Sequence, residues 1–158
     1  MYRKVLLAYD GSVEGRTALR EGARLAQICG AEVHLLAVAA VSASMMIVAG
    51  LYAGAVLDQN DSYEAVLEEG VRRLKAMGFV PKARLESGDP GEKIESVAKE
   101  IGADLIVVGH RHHGPLVSWW IGSIGKRLID HVDCSVLVAR MEIDDNDFAK
   151  LMRPRAVT

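Results

Sequence analysis

Lys4-Val-Leu-Leu-Ala-Tyr9, followed at once by Asp10-Gly11-Ser12, decides how the chain folds. A short apolar run closed by turn-forming residues reads as a parallel strand covered on both faces. Ser12 offers an N-cap oxygen for the helix that follows. In that helix Ala18, Leu19, Gly22, Leu25, Ala26 and Cys29 recur at helical spacing, and Gly30 marks its end. Working outward, the same unit repeats. Glu32 to Val38 reads as a second strand, and a loop or lid then runs to about Asn60. Asp61 or Ser62 caps a helix whose stripe is Tyr63, Val66, Leu67, Gly70, Val71, Leu74 and Met77. Ala83 to Glu86 is a third, more polar strand, placed at a sheet edge by Pro81.

Gly88-Asp89-Pro90-Gly91 reads as a turn before a helix over Glu92 to Ile101, with Ile94, Val97, Ala98 and Ile101 inward. Asp104 to Val108 is a fourth buried strand. A His- and Gly-rich loop follows over 109–121, and a helix from Gly122-Ser123 to His131 buries Ile124, Leu128 and Val132. Ser135 to Ala139 is the fifth strand. This alternation predicts an α/β fold, a five-stranded parallel sheet with helices on both faces in three α/β/α layers, Rossmann-like and with right-handed crossovers.

The 158 residues fit one domain, over 1–140, with a solvated tail over 141–158 that carries Asp144, Asp145, Asp147, Arg153 and Arg155. Half the residues are hydrophobic and the formal net charge is −2, which argues against disorder and against an electrostatic nucleic-acid binder. Cys29 and Cys134 form no CxxC pair and are expected to be reduced thiols. The apolar run Val5 to Tyr9 is too short for a signal-peptide core, so a cytoplasmic protein is expected. Val33 to Leu57 contains no Asp, Glu, Lys or Arg and carries Gly50 and Gly54 at GxxxG spacing, a length that could span a bilayer. Its first part is strand-like and the rest is rich in Ala, Ser and Gly, so no membrane span is expected.

In open α/β sheets, ligands bind outside the carboxyl ends of the strands, near a topological switch point. Asp10-Gly11-Ser12, the residues after Val38 and the segment from Gly109 to Ser123 all reach that edge. A helix N-terminus offers N–H groups and partial positive charge to phosphate. Gly122-Ser123-Ile124-Gly125 puts small residues there, Ser123 adds a hydroxyl, and Lys126 and Arg127 add charge. Asp10 can accept from a ribose hydroxyl or an adenine amino group. Neither G-x-G-x-x-G nor a Walker motif is present: Gly125-Lys126 is followed by Arg127, and Trp120 stands where the first Walker glycine would be.

Tyr2 to Ser12, Val107-Val108-Gly109, Gly122-Ser123 and Ser135 to Val138 together resemble the universal stress protein family, over about residues 2–140. The ATP-binding branch of that family has the pattern G-x2-G-x9-G-S/T. Gly109, Gly122 and Ser123 match it, His112 stands at the middle glycine, and Gly114 lies two residues later. The resemblance implies an adenine nucleotide alpha hydrolase-like fold that binds ATP or AMP as a regulatory ligand, with Mg²⁺ accompanying ATP. The nucleotide-binding residues it implies are Ala8, Tyr9, Asp10, Val38, Val108, Gly109, His110, Arg111, His112, Gly114, Gly122, Ser123, Ile124 and Gly125. Within that set Asp10 holds the adenosine end, Val38 and Val108 flank the adenine, Gly109 passes close to the ribose and phosphates, and Gly122 to Ile124 cradle phosphates. It further implies a homodimer through the last strand, Ser135 to Ala139, with a protein partner of unknown identity. No catalytic base is evident among the residues, so at most weak ATPase activity is expected; the alternatives are a stress-linked interaction module that binds no nucleotide, of which His112 would be the sign, or a slow ATP hydrolase.

His110-Arg111-His112-His113 offers imidazoles, but neighbours in one loop seldom converge on an ion without a distant further ligand, and His34 and His131 are not placed by spacing. The run reads as a polar loop over phosphates, and no metal is expected. Cys134 lies near His131 but reads as a buried structural thiol. Trp119-Trp120 read as apolar surface, suited to a subunit contact.

Overall fold

The computed structural model describes residues 1–40, 53–110 and 125–140, the side chains of 53–61 excepted. In chain order the elements are β1 (Lys4–Ala8), α1 (Val13–Cys29), β2 (Glu32–Ala40), α2 (Ala53–Ala76), β3 (Lys82–Gly88), α3 (Pro90–Ile101), β4 (Leu105–Gly109), α4 (Gly125–His131) and β5 (Ser135–Ala139). All strand pairings are parallel, and the sheet runs β3-β2-β1-β4-β5. Chain order therefore runs outward from β1 through β2 to β3, then jumps back across β1 to β4. The switch point is the gap between β1 and β4.

Alternate residues of each strand feed two cores. Val5, Leu7, Leu35, Leu105 and Val107 face α1 and α2. Leu6, Ala8, Leu36, Ile106 and Val108 face α3 and α4, against Ile94, Val97, Ala98 and Leu128. Burial on both faces explains why these strands read as continuous apolar runs rather than alternating ones. Gly22 of α1 lets that helix lie close on the sheet, since a Cβ there would come within 2.3 Å of Leu7 Cδ2.

Several boundaries differ from the sequence reading for local reasons. The helix expected from Asp61 or Ser62 starts at Ala53, so both residues lie inside α2 rather than at its cap. The run Asp58-Gln59-Asn60-Asp61-Ser62 has turn chemistry, but such residues are tolerated within a helix where tertiary packing holds it. The Gly88 to Gly91 turn is a helix start. Asp89 is the N-cap, its side chain accepts from Glu92 N at 2.9 Å, and Pro90 fits the first position, where no N–H is needed. β2 continues to Ala40, β3 covers Lys82–Gly88, and β4 is shifted by one residue to Leu105–Gly109. Ser12 and Gly30 cap α1 as expected, Ser12 Oγ accepting from Gly15 N and Gly30 adopting φ of 63°. β3 occupies one sheet edge and β5 the other. Among the described residues no helix is long and apolar enough to cross a membrane.

The N-terminal ends of the strands are tied shut. Asp104 precedes β4 and accepts from the backbone N–H of Arg3 (2.9 and 3.0 Å) and of Lys4 (3.0 Å). Lys4 Nζ donates to the Ile101 carbonyl at 2.8 Å, and Glu32 N donates to the Arg3 carbonyl at 2.8 Å. The other end of the sheet is built differently.

Candidate functional site

β1 leaves the sheet through a turn that its own side chains organise. Asp10 Oδ1 accepts from Ser12 N at 3.0 Å and from Ser12 Oγ at 2.5 Å, and Ser12 Oγ accepts from Gly15 N at 2.9 Å. Gly11 takes φ of 75°, a left-handed conformation open to glycine. The chain thus reverses from strand to helix with Asp10 held at the sheet edge. Gly15 is forced by this arrangement, because a Cβ there would lie 2.4 Å from Asp10 Oδ1.

The exit of β4 meets the same helical turn. A Cβ on Gly109 would lie 2.5 Å from the Glu14 carbonyl oxygen and 3.0 Å from Gly15 N. The first turn of α1 is therefore wedged between Asp10 and Gly109 at the switch point, and two glycines permit the fit. Gly109 was singled out in the sequence for close approach to a ligand. Its closest demand within the chain is the crossing of α1. Gly15 carries a fainter signal in the sequence: a glycine within a helix costs about 1 kcal/mol relative to alanine, so its presence there points to tight packing.

A cavity of about 360 Å³ lies beside the C-terminal end of β4. Val108, Gly109, His110 and Gly125, four of the sequence-predicted binding residues, line it together with Lys126, Leu128, Ile129, Val136, Val138 and Arg140. The walls are aliphatic, and Lys126 and Arg140 bring cationic groups to an apolar space. His110 is buried, and its backbone N–H donates to the Ala139 carbonyl at 3.1 Å, so β4 and β5 stay joined at this end.

The remaining sequence-predicted residues divide. Ala8 is buried on the α3/α4 face, and Val38 is half-buried on the same side. Tyr9 points the opposite way: its ring is buried between α1 and α2, and its hydroxyl donates to Glu69. The Tyr9 N–H donates to the Leu36 carbonyl at 2.8 Å, so the side chain and the N–H are both spent within the fold. Arg111, His112, Gly114, Gly122, Ser123 and Ile124 lie outside the described residues, as do Trp119 and Trp120. Arg127, read as a phosphate-side charge, is instead committed to α3, with Nε 2.9 Å from Glu95 and a terminal nitrogen 3.5 Å from Glu92. It clamps α4 to α3.

Glu69 collects three donors. Besides Tyr9, Arg73 lies at 2.8 Å and Arg16 at 3.1 Å. Burial pushes the Glu69 carboxyl up, but the bonds from Tyr9 and Arg73 and the charges of Arg73 and Arg16 outweigh it and hold it below its ordinary value. Burial, then the bond to Glu69, pushes the Tyr9 phenol up to about 12. Glu69 and Arg73 are an i,i+4 pair legible on one helix, but nothing local in the sequence marks their joining to Tyr9 and Arg16.

Among the described residues no group of three or more His, Cys, Asp or Glu is placed to hold a metal ion. Burial pushes the Cys134 thiol up, and the charges of Asp104 and Asp133 push it further, the reverse of what a reactive thiolate needs. His131 Nδ1 bonds the Arg127 carbonyl at 2.9 Å.

The profile of the universal stress protein family matches residues 1–140. A universal stress protein of Synechocystis sp. is 27% identical over 151 residues, which covers 88% of this chain and 98% of that protein. Among solved structures, a universal stress protein in complex with cAMP is similar at a TM-score of 0.67 and 20% identity, over 89% of this chain and 99% of that one. A universal stress protein family protein from Arabidopsis thaliana with AMP bound is similar at a TM-score of 0.64 and 19% identity, over 93% and 98%. These likenesses extend along nearly the whole of each chain and establish the fold.

Proposed function

The chain belongs to the universal stress protein family, and from that premise we propose that it binds an adenine nucleotide, ATP or AMP, at the C-terminal ends of β1, β2 and β4. The observation that carries this reading is the switch point itself, where Asp10 and Gly109 stand on either side of the first turn of α1 at the C-terminal ends of β1 and β4. Asp10 supplies the acceptor for the adenosine end. Val38 and Val108 supply apolar flanks, and Gly109 with His110 leads toward the phosphate side. Gly122, Ser123 and Ile124 complete the phosphate cradle, with Gly125 at the start of α4. Solved members of this fold that hold AMP or cAMP support an adenosine monophosphate moiety as the common ligand chemistry.

The nucleotide acts here as a ligand that biases shape or partner choice, not as a fuel. Mg²⁺ accompanies ATP, hydrolysis is slow at most, and the partner protein responds to the bound state in the cytoplasm. The test is to heat the purified protein, identify any released small molecule, and titrate ATP and AMP with and without Mg²⁺. Binding with slow turnover supports the reading. Rapid turnover would make the protein an enzyme. His112, at the family's middle glycine, favours a second reading, an interaction module without nucleotide. No binding at millimolar ATP and AMP would select it.

The two sheet edges support a homodimer through Ser135–Ala139. The β3 edge is guarded by charge: Arg84 pairs with Glu86 and Glu100, and Lys93 pairs with Glu86. The β5 edge presents Val138, 46% exposed, with Ile129 of α4, 74% exposed, beside it. An apolar edge strand needs cover, and a second copy of the same strand provides it. Sedimentation should give a dimer that a Val138→Lys substitution dissociates. A monomeric wild type would refute this.

A further inference from the structure

Glu69 is an unusual residue to find between two packed helices. A half-buried carboxylate is costly unless its oxygens are satisfied, and here the donors come from both flanks of one turn. Tyr9 stands immediately before Asp10-Gly11-Ser12, and Arg16 stands one helical turn after it. A single side chain of α2 thereby ties the entry and the exit of the β1–α1 turn. Two further contacts lay α2 along the same segment. A Cβ on Gly11 would lie 3.2 Å from Val66 Cγ2, and a Cβ on Gly70 would lie 2.9 Å from the Tyr9 ring. Arg73, one turn beyond Glu69, closes the cluster at 2.8 Å.

We propose that Glu69 is a positioning residue for the nucleotide site: by holding Tyr9 and Arg16 at once, it fixes the backbone from Tyr9 to Arg16 so that Asp10 stands ready for the ligand. This rests on the reading of the Asp10 turn as part of the nucleotide site. It adds to that reading a route by which the position of α2 sets affinity, since any shift of α2 along its axis breaks both ties together. A simple packing role would instead make Glu69 one of many residues whose loss loosens the fold without favouring the turn.

The experiment compares Glu69→Gln, Tyr9→Phe and Leu74→Val. Leu74 is fully buried on α2 and serves as the packing control. Amide hydrogen exchange in the ligand-free protein reports on the turn, and calorimetric titration with AMP reports on the site. Glu69→Gln and Tyr9→Phe should each speed exchange at Gly11 to Gly15 and raise the AMP dissociation constant about fivefold, the equivalent of one lost hydrogen bond. Leu74→Val should lower the melting temperature but change neither quantity. Unaltered exchange at Gly11 to Gly15 in Tyr9→Phe, which keeps the ring packing, would overturn the proposal even if Glu69→Gln failed to fold. Equal effects from Leu74→Val would also overturn it. If the wild type binds no AMP, the nucleotide reading fails, while the exchange measurement still decides whether Glu69 holds the turn.

Discussion

The two ends of this sheet use an aspartate each, and to opposite purposes. At the N-terminal ends of the strands, Asp104 is consumed by the protein itself. Burial pushes its carboxyl up, but the backbone N–H groups of Lys4 and Arg3 more than reverse that and hold it below its ordinary value. At the C-terminal ends, Asp10 organises a turn through Ser12 and stands where the strand order reverses. One end is closed by bonds between its own residues. The other is closed only as far as the wedge of α1, and the cavity lies beside the end of β4. The first end is bonded within the fold, and the second is the end to which the proposed function assigns the ligand.

The sharpest way to break that comparison is at the wedge. Gly109→Ala puts a Cβ against the backbone of Glu14, which cannot swing aside as a side chain would. It should cost about 3 kcal/mol, at the upper part of the range for overpacking, measured by chemical denaturation. A loss well under half of that would mean that α1 does not press on β4.

Asp104→Ala removes an acceptor from two backbone donors and should cost about 1 to 2 kcal/mol. It should leave AMP affinity unchanged. Because the folded-state pKa of Asp104 is depressed, its contribution is present above the unfolded-state value and is lost as pH falls through the folded one. Wild type and variant should therefore converge in stability in acid, as thermal melts across the carboxylate range would show. The mirror experiment at the other end is Asp10→Ala. It should weaken AMP binding about tenfold, as for a lost charged acceptor, at a smaller stability cost, near 1 kcal/mol, from the loosened turn. If the two aspartates exchange effects, the division between the ends is wrong.

The smallest effect is alkaline. With the Tyr9 phenol raised to about 12, the unfolded chain loses that proton first, near pH 10. The unfolded state then gains on the folded one, and stability falls as pH rises from about 10 toward the folded value. Tyr9→Phe should lack this component of the decline when the two melting curves are subtracted.

Much of this architecture is legible in the sequence. Val5 to Ala8 and Leu105–Gly109 are apolar without interruption because helices cover both faces, and Ser12 and Gly30 punctuate α1 as local chemistry requires. What escaped reading was tertiary. The start of α2 was hidden by a polar run that reads as a cap. The crossing of Gly109 over Glu14 leaves no trace in the neighbours of either residue. Arg127 reads in the sequence as positive charge near the helix start because its salt partners, Glu92 and Glu95, lie on another helix. Tyr9, which the family resemblance places among the nucleotide contacts, turns its ring to the α1/α2 face, and adjacency to Asp10 does not reveal that choice. Strand exits locate a site, while pair contacts across helices decide which of the nearby residues are free to serve it.

The most direct test is two-dimensional NMR of the isotopically labelled protein during titration with AMP. The account predicts shift changes gathered at Ala8 to Ser12, Val38 and Val108 to His110, with Arg3, Lys4, Glu32 and Asp104 unmoved. Shifts centred on the Asp104 end, or none at millimolar AMP and ATP, would contradict it.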